Sequence, residues 1–135
     1  MGQNDIHAVS LAVLSNGRFL LVRRGHSPAK GLFAFPGGRV EEGEDAETAV
    51  RRELYEETGL VVDEIYSFRE ITLEAEGGKR YRLEIFRGRE LKGCARAGDD
   101  ADLAGWYTIE EMRSLPVTAS TLEIAQDMIA LSEAS

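Results

Sequence analysis

The sequence is short of the residues that build covalent or histidine-rich scaffolds. Cys94 is the one cysteine in 135 residues, which excludes an intrachain disulfide framework and leaves that thiol without an assigned role. The two histidines, His7 and His26, have no clustered partners and read as structural or exposed side chains. Basic residues are outnumbered, with 16 Lys and Arg against 24 Asp and Glu, for a net charge of −8. Such a balance argues against non-specific nucleic-acid or anionic-membrane binding, both of which reward basic surfaces. Long apolar runs are missing too: the stretch from Ala8 to Val22 is broken by Ser15-Asn16-Gly17-Arg18, so it is no membrane span. No basic region followed by a hydrophobic run and cleavage site opens the chain, and a cytoplasmic protein is expected. Repeats, low-complexity tracts and linkers are lacking, which leaves a single domain over 1–135 with one real core.

What the chain does have is a mixture of strands and helices. Ile6 to Leu14 reads as a mostly buried strand, Asn16-Gly17 as a hairpin turn, and Phe19 to Arg24 as the returning strand. A loop from Gly25 to Gly31 leads to a short strand at Leu32–Phe35, and Pro36-Gly37-Gly38 reads as a turn. Val61 to Leu73 reads as one or two strands, Gly77-Gly78 as a turn, and Tyr81 to Leu91 as a further strand. Residues 92–105 read as a loop carrying Asp99, Asp100 and Asp102, after which Trp106 and Tyr107 begin a last short strand. Ile109 to Leu115 is expected to be a helix stopped by Pro116. Ser120 to Glu123 has the capping-box pattern of a final helix, with Leu122, Ala125, Met128 and Ile129 as its apolar stripe.

The stretch from Gly38 to Leu60 organises the rest. From Asp45 to Thr58 there is neither proline nor glycine, and Ala, Leu, Glu and Arg dominate, so a helix of about four turns is expected. Asp45 suits its N-cap and Gly59 a left-handed C-terminal position. At about 100° per residue, Ala46, Ala49 and Val50 share one side, with Glu53, Glu56 and Glu57 in the same phase. Thr48, Arg51 and Tyr55 face the other way. Three carboxylates turned toward the body of the protein repel one another, and Arg52 compensates for only one. A divalent cation would relieve them; the competing reading is a solvated acidic face paired with lysines elsewhere.

Gly38, Glu44, Arg52, Glu53, Leu54, Glu56, Glu57, Gly59 and Leu60 match every fixed position of the Nudix box, and the chain resembles the Nudix hydrolases on that ground. The flanking runs Leu-Val-Arg-Arg-Gly and Lys-Gly-Leu-Phe-Ala-Phe-Pro-Gly-Gly are similar to small bacterial members grouped with ADP-ribose pyrophosphatases. The resemblance implies an α/β/α sandwich with a mixed β-sheet and the box as loop, helix and loop. It also implies cleavage of a nucleoside diphosphate linked to another moiety X, with Mg²⁺ or Mn²⁺.

By that resemblance Glu53, Glu56, Glu57 and the Gly38 carbonyl are expected at the metal, with Glu44 peripheral and Arg52 orienting the carboxylates. The general base is open between a box glutamate (Glu53 or Glu56) and an acid of the later loop, Asp99, Asp100 or Asp102. Arg39, which follows the metal-site glycine, is the first basic residue for substrate phosphates, ahead of Arg23, Arg24 and Arg82. Trp106 and Tyr81 are candidates for stacking on a base, each equally suited to the core. An ADP-ribose-like substrate is favoured. The alternatives are a nucleoside triphosphate, oxidised ones included, and a nucleotide-binding sensor without catalysis. Against a firm assignment, no proline occurs between Pro36 and Pro116, so the downstream proline of one ADP-ribose group is missing, as is the NADH-group motif. Oligomeric state is open, with a homodimer as one option.

Overall fold

The computed structural model describes residues 5–25, 29–74, 76–98 and 101–134. Its central strand is β1 (Asp5–Ala12), which alternates between two helical layers. Val9 and Leu11 pack toward one side, where Ala49, Val50 and Leu54 of helix α1 (Ala46–Thr58) close one core. Ala12 packs toward the other, where Ile124, Ala125 and Met128 of helix α3 (Ala119–Ala134) close the second. Apolar residues on both faces of a strand require a cover on both faces, and the α/β/α sandwich follows.

Two sheets share this interior. In the first, β1 lies between β5 (Gly37–Arg39), antiparallel to it, and β7 (Arg80–Lys92), parallel to it. Strand β6 (Val61–Glu74) pairs antiparallel with β7 and carries a bulge between Ser67 and Arg69. In the second, β3 (Arg18–Arg24) pairs along its length with β8 (Ala101–Thr108), and with β2 (Leu14–Ser15) and β4 (Phe33–Ala34) on its other edge. The β2–β3 hairpin turns at Asn16 and Gly17, both at positive φ, as a two-residue turn matching the strand twist requires.

Three sequence expectations are corrected. Pro36-Gly37-Gly38 is not a turn, because Gly37, Gly38 and Arg39 form β5 in register with Ser10, Val9 and Ala8. The stretch 92–105 is not all loop, because β8 begins at Ala101 and pairs with β3. The last helix is capped not at Ser120 but by Thr118, whose hydroxyl oxygen accepts the Thr121 N–H. Thr118 is itself fixed by β4, donating its N–H to the Phe33 carbonyl at 3.0 Å. Helix α2 (Ile109–Ser114) precedes it.

Candidate active site

Helix α1 begins and ends where its sequence dictates. The Asp45 carboxylate accepts the Thr48 N–H at 2.8 Å, and Gly59, at φ 75°, returns its N–H to the Tyr55 carbonyl. Between these caps the helix lays Ala49, Val50 and Leu54 into the core, and this fixes the rotation of everything else on it. Glu57 follows Leu54 by three positions and is carried inward with it, 8% exposed. Its carboxylate accepts the Gly37 N–H at 2.9 Å, so β5 and α1 are joined by a buried charged acceptor. Glu53, one turn earlier, lies against Gly38. A Cβ at position 38 would fall on the Glu53 carboxyl group, so with any larger residue there the Glu53 side chain would have to move.

Arg52 organises the acidic residues from the side. Its Nε and Nη2 fork onto Glu44 at 2.7 and 2.9 Å, and its Nη1 reaches Glu53 at 3.2 Å and Glu56 at 3.0 Å. Nη2 also donates to the Arg39 carbonyl. One guanidinium therefore spans three carboxylates, although its single charge offsets only one; five fixed N–H donors make that geometry available to arginine and not to lysine. Glu44 is held down to about 2, chiefly by the Arg52 hydrogen bond and then by the Glu41 N–H. Glu53 moves the opposite way. Burial raises its pKa most, with Arg52 opposing and the neighbouring Glu56 adding to the rise.

The expectation of three converging carboxylates holds for two of them. Glu56 is turned to Arg52, with its side chain 40% exposed, and it does not line the cleft that Glu53 and Glu57 share. Among the described residues, no three His, Cys, Asp or Glu side chains converge as a ready metal cage. The donors that remain together are oxygen only: Glu53, Glu57 and the backbone at Gly38.

These residues help line a cleft of about 1110 Å³ between β5, β1, β7 and the start of α3. Arg39 and Arg24 line it; Arg23 and Arg82 do not. Arg23 is engaged by Asp102 at 2.7 Å and Arg82 by Glu70 at 3.0 Å. Asp102 is thereby committed away from the cleft, while Asp99, Asp100 and His26 lie outside the described residues. Tyr81 is a cleft residue, with the Arg39 guanidinium over its ring at 5.9 Å. Trp106 instead borders a second cavity of about 790 Å³ with Leu60 and Cys94. His7, expected to lack a partner, has its Nε2 3.4 Å from Glu84.

Sequence reasoning missed four polar residues of the cleft: Ser10 of β1, which lies opposite Gly37 in the β1–β5 register, and Thr118, Ser120 and Thr121 at the start of α3. The misplaced helix cap hid them, since their meeting with β1 depends on the Phe33–Thr118 link between β4 and α3.

A profile of the NUDIX domain matches residues 5–128. The chain belongs to the Nudix hydrolase family. It is 34% identical over 110 residues to an ADP-ribose pyrophosphatase of Methanocaldococcus jannaschii, a match covering 80% of this chain and 64% of that protein. It is also 34% identical over 101 residues to an oxidized purine nucleoside triphosphate hydrolase of Danio rerio, covering 74% of this chain and 64% of the other. The Nudix chain thus spans under two thirds of both relatives. The crystal structure of a MutT Nudix hydrolase from Burkholderia pseudomallei superposes with a TM-score of 0.83 at 25% identity, over 93% of this chain and 98% of that one. No helix among the described residues is long and apolar enough to cross a membrane.

Proposed function

We propose that the chain is a divalent-metal-dependent pyrophosphohydrolase that cleaves the phosphoanhydride of a nucleoside diphosphate linked to X, with an ADP-ribose-like substrate favoured. The observation that carries this reading is the placement of Glu53 and Glu57 one helical turn apart, both lining one cleft and both against the Gly37-Gly38 backbone.

The donor set fits Mg²⁺, and Mn²⁺ in its place. Two carboxylates and a backbone carbonyl, all oxygen, suit a hard cation that keeps several positions for water and phosphate oxygens. Glu53 supplies a second reason, since it is partly stripped of water and repelled by Glu56, a state that a cation relieves. Glu53, Glu57 and the Gly38 carbonyl would hold the ion, which supplies charge neutralisation at the phosphates and acidification of bound water.

The protein's own groups have defined tasks. Arg52 pairs with both Glu53 and Glu56, offsetting part of their repulsion, and locks Glu44 at the entrance to α1. Glu56, outside the cleft and tied to Arg52, serves as a positioning residue, which leaves Glu53 as the box glutamate placed to accept a proton from the attacking water. Arg39 and Arg24 border the cleft and offset phosphate charge on an otherwise acidic protein.

The substrate preference is supported by the resemblance to the archaeal pyrophosphatase. An oxidised nucleoside triphosphate is the second reading, supported by the fish relative at equal identity. A non-catalytic sensor is disfavoured because all nine box positions are intact. A screen of nucleoside diphosphate sugars and nucleoside triphosphates with Mg²⁺ or Mn²⁺, following phosphate and nucleotide products, tests the reading. Release of a nucleoside monophosphate is expected, and inertness toward the whole panel would overturn it.

A further inference from the structure

Resting on the hydrolase reading above, we propose that Gly98 is a positioning residue. Its backbone holds the last turn of α1, and through that turn it sets the place of the Glu57 carboxylate in the cleft.

The last carbonyls of a helix have no partner within it, and α1 ends one residue beyond Glu57. The chain that follows β7 supplies the missing donors. The Arg96 N–H donates to the Thr58 carbonyl at 2.9 Å, and the Gly98 N–H to the Glu57 carbonyl at 3.0 Å. The Arg96 side chain lies beside Gly59, which brings a cation to the C-terminus of a helix whose own last turn has no basic residue. Glu57 is therefore held twice. Its carboxylate accepts the Gly37 N–H and its backbone carbonyl accepts the Gly98 N–H.

The fit at Gly98 leaves no room for a side chain. A Cβ there would come within 2.5 Å of the Glu56 carbonyl oxygen. At Gly38 the obstacle is a flexible carboxyl group, whereas at Gly98 it is helix backbone. Leu54 and Thr58, both fully buried, hold the helix from its other side. Residue 98 is fixed from beyond as well, since its carbonyl accepts the Ala101 N–H at 3.1 Å, and Ala101 pairs with Arg24 in the β3–β8 register. Gly98 thus ties the helix of Glu57, packed on the first sheet, to the strand of Arg24 in the second. An alanine at 98 would displace either the last turn of α1 or the N–H that holds it, and both loosen Glu57.

The test sets Gly98→Ala beside Ile109→Val, a cavity variant in the second core that lowers stability without touching this contact. The Gly37 amide reports the Glu57 carboxylate directly, and NMR reads it with neither metal nor nucleotide present. Its resonance should move in Gly98→Ala and stay in place in Ile109→Val. In thermal melts, the Mg²⁺ concentration giving half the full rise should increase about tenfold in Gly98→Ala alone, the scale for losing a group that orients a metal ligand. With saturating Mg²⁺ and the nucleotide that the screen identifies as best, kcat should fall about 10²-fold. KM should change by less than about threefold. A Gly37 resonance and a Mg²⁺ midpoint both unchanged in folded Gly98→Ala would overturn the role of Gly98, as would equal changes in Ile109→Val. Should Gly98→Ala not fold, hydrogen exchange in the wild type decides. The Gly37 and Gly98 amides should be protected to within about threefold of each other, as groups that open in one event, and a freely exchanging Gly98 amide beside a protected Gly37 would overturn the link. Wild type inert to the whole nucleotide panel would sink the hydrolase reading alone, since the amide comparison uses no substrate.

Discussion

The Glu57 carboxylate accepts the Gly37 backbone N–H at 2.9 Å, so one side chain both joins helix α1 to strand β5 and lines the cleft. These two duties need different properties, since the hydrogen bond needs only an acceptor oxygen whereas cation binding needs the negative charge. Glu57→Gln keeps the first and removes the second. Turnover should fall by orders of magnitude while the melting temperature stays within a few degrees of wild type. Glu57→Ala should lose both, with an added stability cost of about 1–3 kcal/mol for the orphaned, buried N–H. Steady-state kinetics with thermal melts of both variants check the split, and full activity in Glu57→Gln would remove the proposed charge role.

Gly38 is small for a steric reason. An added Cβ would fall on the Glu53 carboxyl group, the far end of a flexible side chain that can swing away while the buried Leu54 keeps the helix in place. Gly38→Ala should therefore displace the Glu53 side chain and lower kcat/KM by about 10²-fold, the scale of an ångström-sized misplacement at a reacting centre. Circular dichroism should show the fold intact. An active Gly38→Ala enzyme would mean that the Glu53 position is not critical.

The helix at the centre of the site was legible because its rules are local. Asp45, Gly59 and the Ala49-Val50-Leu54 stripe set its ends and its rotation, and rotation decides that Glu57 goes in while Tyr55 stays out, 58% exposed. The helical phase alone could not separate Glu56 from its neighbours, because its direction is decided by Arg52, a competition among side chains. Strand β8 was half-hidden for a related reason. Asp102, Ala104 and Gly105 are poor strand formers, and what holds them is the backbone of β3, some 80 positions away, with the Arg23–Asp102 pair beside it. The capping-box spacing was itself ambiguous: the pattern at Ser120–Glu123 is not the cap of α3, which Thr118 supplies, whereas Thr108 and Glu111, not singled out in the sequence, form the reciprocal cap of α2.

Glu44 gives the site a defined acid response. Its folded pKa of about 2, set first by the Arg52 hydrogen bond, lies below the ordinary glutamate value of about 4.3 expected in the unfolded chain. A depressed carboxylate stabilises the fold above the unfolded value, and that contribution is lost as pH falls toward the folded one. The melting-temperature gap between wild type and Glu44→Gln should hence be constant from pH 7 to about 5, then close between about 4.5 and 2. A gap independent of pH would show that Glu44 acts through size and hydrogen bonding, without its charge.

A cation should stabilise this protein even without substrate, because Glu53 is held where its charge is disfavoured. Burial raises its pKa first, and Glu56 adds to the rise. An ion binding the folded chain alone adds RT ln(1 + [L]/Kd), about 2.7 kcal/mol at a hundredfold excess over Kd. Millimolar Mg²⁺ should accordingly raise the melting temperature by several degrees. The rise should be lost in Glu53→Gln and Glu57→Gln but kept in Glu56→Gln, since Glu56 faces Arg52 outside the cleft. Thermal melts across a Mg²⁺ titration make the comparison. If Glu56→Gln abolished the shift as fully as the other two, the ion would have to bind on the helix flank, and the cleft between α1 and β5 would lose its claim to the chemistry.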